Sequence, residues 1–293
     1  MYDYFVTTDL TADFPPELSE EGFGIIPMSY AVEGVEYDGK NRAYLTPHEF
    51  YTLLENGKLS TTSMVSAEDA YEFFADKLKQ GKDILHISFS SALSGCYGSY
   101  LKAAEKASRE FPDRRVAVVD SKCASSGEGL LCHYVLKKRA EGASLAENEA
   151  YANGLRDHIG HVFTVNDMFH LYRGGRVSKG AAIVGQAIKL KPILMVNDEG
   201  KLIPVSNVIG RKIALRSLVD KMETDGGNRE NDCIIISHGD CREDAEFVAE
   251  KVRERFGNQK IVITDIGAVV GSHCGKGVVA LFYLADNKTN KKI

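Results

Sequence analysis

Residues 83–110 read DILHISFSSALSGCYGSYLKAAEKASRE. DILHIS, residues 83–88, is a short apolar run of strand length, and LKAAEKASRE, residues 101–110, reads as a helix. A strand feeding a helix through a short turn is the start of a βαβ unit, whose strands pair in parallel. The turn between them is loaded with Ser90, Ser91, Ser94 and Gly95. Backbone N–H groups at a helix start have no internal partner, and the helix dipole adds partial positive charge, so hydroxyls there can complete an anion site. A helix cap made by Ser91 or Ser94 explains the same residues equally well. A phosphate loop lacks its GxxxxGK[ST] and GxGxxG spacings. A hydrolase elbow lacks its first glycine, because Ala92 stands two residues before Ser94.

Working outward, the pattern repeats. YDYFVTT (residues 2–8) is a strand ending at Asp9, and RRVAVVDS is another ending at Asp120. Thr46-Pro47 opens a helix, Ser66 with Asp69 opens a second, and GLLCHYVLKKRA is a further amphipathic helix. In parallel sheets ligands collect beyond the carboxyl ends of strands. Asp9, Ser88–Ser94 and Asp120–Ser126 are therefore expected on one rim. The boundary is expected near DHIGHVF (Asp157–Phe163), and beyond it the organisation changes. KPILMV, the turn NDEG and KLIPVSNV read as a hairpin. DCIIISHGD and KIVITDIG are strands flanking a helix, and GVVALFYLA is a last strand. The expected fold is α/β in two domains: a three-layer domain with a mostly parallel sheet over 1–160, and a mixed α/β domain with antiparallel strands over 161–293.

At 293 residues, two domains is the default. Apolar residues at 44%, charged residues at 26% and a net charge of −5 are ordinary for a globular protein and argue against a nucleic-acid partner. No apolar run reaches the roughly 18 residues of a membrane span, so no stable membrane insertion is expected. The start of the chain lacks a basic region followed by an apolar core, and a cytoplasmic location is expected. The six cysteines form no CxxC, and His238 with Cys241 or His273 with Cys274 has no second half, so neither disulfides nor a metal site is expected.

Three further runs carry candidate chemistry. LSTTSMVS (residues 59–66) is a second hydroxyl cluster before a helix, with more hydroxyls than one cap needs. LYRGGRVSKG (residues 171–180) brackets two glycines with Arg173, Arg176 and Lys179. GSHCGKG (residues 271–277) sets three glycines around His273 and Lys276.

Taken together these pieces resemble the DegV family, bacterial proteins that bind a fatty acid between two α/β domains. The matching segments are Thr8-Asp9-Leu10-Thr11-Ala12-Asp13, Thr62-Ser63-Met64-Val65-Ser66, Leu93-Ser94-Gly95-Cys96-Tyr97, VVDSKCASSGEG, LYRGGRVS and GSHCGKG. The resemblance runs end to end. It implies that Thr62 and Ser94 hold the carboxylate, with Ser63, Gly95, His273, Asp9, Ile26 and Met28 around the pocket. It also implies a non-catalytic carrier, with no cofactor beyond the bound long-chain fatty acid, that presents the acid to a kinase subunit feeding phospholipid synthesis. Arg173 and Arg176 are then the expected docking residues for that partner. Met64 and Val65 stand where the family has Gln-Pro, Cys96 replaces threonine, and PVSNVIGRKIAL keeps only Arg211 and Lys212 of the basic residues usual after the hairpin. Alternative readings are a serine hydrolase using Ser94 with His273, and a small-anion sensor. Burying an acyl chain of about fourteen methylenes is worth on the order of 11 kcal/mol gross. That is similar to the roughly 4–15 kcal/mol cost of association, so binding requires a dry, preformed tunnel. GIIPMSYAV and KPILMV are the expected apolar walls.

Overall fold

The computed structural model describes residues 3–166, 168–178, 190–226 and 231–288. Lys179 lies outside the described residues. The first part of the chain forms β1 (Tyr4–Asp9), β2 (Phe23–Ile26), β3 (Tyr30–Val32), β4 (Val35–Tyr37), α1 (Pro47–Glu55), β5 (Ser60–Thr62) and α2 (Ala67–Leu78). There follow β6 (Asp83–Ser88), α3 (Cys96–Glu110), β7 (Val116–Asp120), α4 (Ser126–Ala140) and α5 (Leu145–Leu155). The second part forms β8 (Ile159–Thr164), α6 (Phe169–Arg173), β9 (Leu190–Val196), β10 (Leu202–Ile209) and α7 (Arg211–Thr224). It ends with β11 (Ile234–His238), α8 (Arg242–Phe256), β12 (Ile261–Asp265), α9 (Ala268–Cys274) and β13 (Val279–Leu284).

The stretch 83–110 is β6, a turn and α3, as its pattern predicts. β6 pairs in parallel with β1 and β7, in a four-stranded sheet of order β2-β1-β6-β7. The sheet's two faces are set by alternation along each strand. Val6, Leu85, Ile87, Ala117 and Val119 pack under α4 and α5. Ile84, Val116 and Val118 pack against α2 and α3. This is the expected three-layer arrangement. Asp9, Ser88 and Asp120 end neighbouring parallel strands and so share the predicted rim. The hydrogen bond from Ser121 N to the Ser88 carbonyl (3.0 Å) closes it.

The second sheet has the order β10-β9-β8-β13-β11-β12 and is mixed. The predicted hairpin is β9 and β10, antiparallel, with a bulge between Pro204 and Ser206. β11 and β12 are the parallel pair flanking α8, and β13 runs antiparallel to both β8 and β11. A small antiparallel sheet, β4-β3-β5, carries the second hydroxyl run.

One element differs from its prediction. α4 was expected to be amphipathic, yet Ser126, Gly127, Glu128, Gly129, Leu130, Leu131, Cys132, Tyr134, Val135 and Leu136 are all buried. The reason is its place in the fold. One side packs on Leu85 and Val119 of the first sheet, the other on Phe163, Ile235, Ala280 and Phe282 of the second. A helix held between two sheets is apolar all round. Where α4 meets β8, Gly127 leaves room for the His161 ring, which a Cβ would overlap. All six cysteines are free thiols. Among the described residues no helix is long and apolar enough to cross a membrane, and no His/Cys/Asp/Glu group is placed to hold a metal.

Candidate functional site

A cavity of about 420 Å³ is lined from both parts of the chain, within the size range of small-molecule sites. Leu59 and Met64, 52% and 62% exposed, mark its open end. Phe89, Leu171, Val196, Val270, Ala280 and Phe282 are among its apolar walls. Of the two predicted wall segments, GIIPMSYAV contributes Met28 and KPILMV contributes Val196.

The polar groups at the open end come from four elements. β3 pairs with β5 at Tyr30↔Thr62, which carries Thr62 to the cavity. Thr62 Oγ1 lies 3.1 Å from His273 Nε2, on α9. Ser66 is spent on capping α2, accepting from Asp69 N at 3.0 Å. The serine turn divides its labour. Ser90 Oγ donates to the Gly200 carbonyl (2.8 Å), tying the first sheet to the β9–β10 hairpin. Ser91 Oγ donates to Asp120 (2.5 Å). Ser94 Oγ accepts from Cys96 N (3.2 Å) and lines the cavity beside the start of α3. Its turn is thus both a partial cap and a cavity wall. Among the described residues no hydrogen bond joins Ser94 to His273.

Arg173 and Arg176 line the same cavity and are half-buried. Arg173 Nη2 donates to the Ser60 carbonyl (3.4 Å), and Arg176 Nε to the Leu93 carbonyl (3.2 Å). Neither is paired with a carboxylate among the described residues. His273 is held neutral, its pKa pulled down to about 4 by burial first and then by Arg176, Arg173 and His170. The arrangement is therefore cationic and rich in donors, able to hold an anion against an apolar tunnel.

Of the other residues singled out in the sequence, Ser63 and Met28 line the cavity. Gly95 is the residue before α3, where a Cβ would press on the Met64 thioether. Ile26 is packed in the core beside Phe50 and Phe74. Asp9 is buried behind the wall, accepting from Tyr100 (2.7 Å) and holding Thr11, which does line the cavity.

Sequence reading set Ser125 on the strand-end rim and Thr11 in a matching segment but gave neither a role, and it missed His161; the three form a second polar group on the wall. Thr11 Oγ1 donates to Asp9 and lies 3.1 Å from Glu128, and Ser125 Oγ donates to Asp13 (2.5 Å). Burial raises the pKa of Asp9, of Glu128 and of Asp13, the last to about 8. Asp13 also accepts from Gly267 N (2.8 Å), linking this cluster to the start of α9. The clue in the sequence was DHIGHVF: the segment read as a boundary is β8, with His161 inside it.

The family model described as uncharacterised protein, DegV family, matches residues 4–286. A DegV domain-containing protein of Clostridium perfringens is 37% identical over 289 residues, covering 98% of this chain and 99% of its own. The solved structure of a DegV family protein from Thermus thermophilus, described for its fatty acid binding, is 27% identical with a TM-score of 0.83, covering 97% of this chain and all of that one. The fatty acid kinase B3 protein of Streptococcus pneumoniae, solved with linoleic acid, is 18% identical with a TM-score of 0.85 over 97% of this chain and 99% of that one, a likeness of fold.

Proposed function

Since this chain belongs to the DegV family, we propose that it binds a long-chain fatty acid in the 420 Å³ cavity, with the carboxylate at Thr62 and Ser94. One observation carries the reading: hydroxyl donors and guanidinium groups with no carboxylate partner among the described residues gather at the open end of a tunnel that is otherwise largely apolar. A charged carboxylate leaves water only where donors replace its hydration. Thr62, Ser94, Arg173 and Arg176 are such donors, and the acyl chain takes the apolar walls. The 1–160 and 161–293 parts then act as two domains closing on one ligand. We propose further that the protein is a non-catalytic carrier. With its head-group near the opening, the acid is placed for a partner kinase to convert to an acyl phosphate.

Delipidated protein incubated with labelled palmitate or oleate is expected to retain the acid through gel filtration. With ATP and a fatty acid kinase catalytic subunit the retained acid is expected to become acyl phosphate. Protein that stays bare sinks the binding reading; acid retained but never phosphorylated sinks only the carrier role. A fluorophosphonate label on Ser94 would instead make it a hydrolase nucleophile.

A further inference from the structure

We propose that the β9–β10 hairpin sets the longest acyl chain this protein accepts, with Val196 and Leu202 as the residues that meet its methyl end; the inference rests on the fatty-acid reading above. Strand pairing maps the cavity floor. Ala280 and Phe282 on β13, His161 and Phe163 on β8, Val196 on β9 and Leu202 on β10 all line it. Ala280 pairs with Phe163, and Phe282 with His161. Phe163 pairs with Leu194, so continuing that register sets Val196 beside His161, and Val196 pairs with Leu202. The head-group donors stand off one end of these strands. Arg173 is on α6, which follows β8, and His273 is on α9, which leads into β13; the two strands meet there at Thr164 and Val279. A chain entering from that end crosses the Ala280–Phe163 row and then the row that runs from Phe282 to Leu202. The floor is about 10 Å deep along the strands, from Thr164 to His161, and about 14 Å wide across the three spacings from β13 to β10. A chain laid out in full therefore takes the diagonal toward β10. That strand is the edge of the sheet, and no further strand extends the floor beyond Leu202.

A length limit needs a wall that does not give, and the hairpin is fixed at its tip. Asn197 N donates to the Lys201 carbonyl, Gly200 N to the Asn197 carbonyl and Lys201 N to Asn197 Oδ1, each at 2.9 Å. Ser90 Oγ ties the tip to the first part through the Gly200 carbonyl (2.8 Å). Gly200 has a φ of +79°, and a Cβ there would overlap the Ser90 hydroxyl and press on Lys122 Cα. Phe89, next to Ser90, lines the cavity as well, and Val196 is only 1% exposed. Each methylene buried in the cavity strengthens binding roughly fourfold. Once the methyl group reaches Val196 and Leu202, the next carbon must buckle the chain or push packed side chains aside, and close-packed walls resist both. The gain per carbon stops at that length.

The test measures equilibrium binding of laurate, myristate, palmitate, stearate and arachidate to the full, delipidated chain. Affinity is expected to rise roughly fifteenfold with each added pair of carbons and then to level off or fall. Leu202→Ala is expected to move that break to a longer acid, and Val196→Phe to a shorter one. On unmutated protein, the acid of the break length carrying a diazirine at its methyl end is expected, on irradiation, to label the segment that spans β9 and β10. A break at the same length in Leu202→Ala, or no break across the series, overturns this inference and leaves the fatty-acid reading standing. Label confined to β8 or β13 does the same, whatever the folding of the variants. No acid bound at all overturns both.

Discussion

Among the described residues, Ser60 Oγ, Arg173 Nη1 and His273 Nδ1 are buried beside the cavity with no hydrogen-bond partner. Buried polar atoms are nearly always satisfied, and each unsatisfied one costs about 1–3 kcal/mol. Three around one opening mark a place where a polar ligand completes the structure. Thr62, at the end of β5, and Ser94, in the turn before α3, both line the cavity there. Replacing both (Thr62→Ala with Ser94→Ala) is expected to weaken fatty-acid affinity roughly 100-fold or more, since each removes a bond to a charged group worth about 1.5–3 kcal/mol. Titration calorimetry on delipidated protein measures it. Ser91→Ala, which removes only the exposed bond to Asp120, is expected to leave affinity unchanged. Equal loss in both variants would mean that the turn's shape, not its hydroxyls, holds the head-group.

At the scale of elements, Asp13 joins parts of the chain that are far apart. It accepts from Ser125 before α4 and from Gly267 before α9. Its folded pKa, about 8, lies above the ordinary 3.8, chiefly through burial. The folded state therefore holds a proton that the unfolded state releases. The stabilisation is complete below the unfolded value and is lost as pH rises toward 8. Asp9 and Glu128, also raised, act in the same direction. Thermal melts are expected to fall from about pH 5 to about pH 8, and to fall less in Asp13→Asn, which keeps both bonds but does not titrate. A melt that rises over that range, or is unchanged in slope by the substitution, contradicts the protonated latch. The same elements show what could be read from the chain. Strand ends at Asp9, Ser88 and Asp120 and the hydroxyl runs were legible because alternation and capping are local. α4 was misread because its second apolar face answers to a sheet that begins at Ile159. Arg173 and Arg176 read as a surface run because nothing local shows that α6 and its following turn face a cavity. His161 was missed for a similar reason: it meets Gly127 and Ala124 only once β8 packs on α4.

For the whole molecule, the cavity is a shared interior surface. The first part supplies Thr62, Ser94 and Phe89; the second supplies Arg176, His273, Val196 and Phe282. Polar contacts between the parts around it include Ser90 to Gly200, Tyr51 OH to the Ile266 carbonyl (2.9 Å), and Lys276 to Glu55 (2.8 Å). α4 is the apolar link, with one side committed to each sheet. An acyl chain in the cavity adds apolar contact to both sheets at once, so its binding energy appears as stability of the whole fold. Ligand at about 100 times its Kd contributes about 2.7 kcal/mol. At roughly 2–4 °C per kcal/mol for a chain somewhat smaller than this one, loaded protein is expected to melt roughly 5 °C above delipidated protein. The shift should come as one transition, because both parts wall the ligand. Differential scanning calorimetry of the two forms decides it. If the delipidated protein shows two transitions and fatty acid moves only one of them, the ligand belongs to a single part and the shared cavity is not its site.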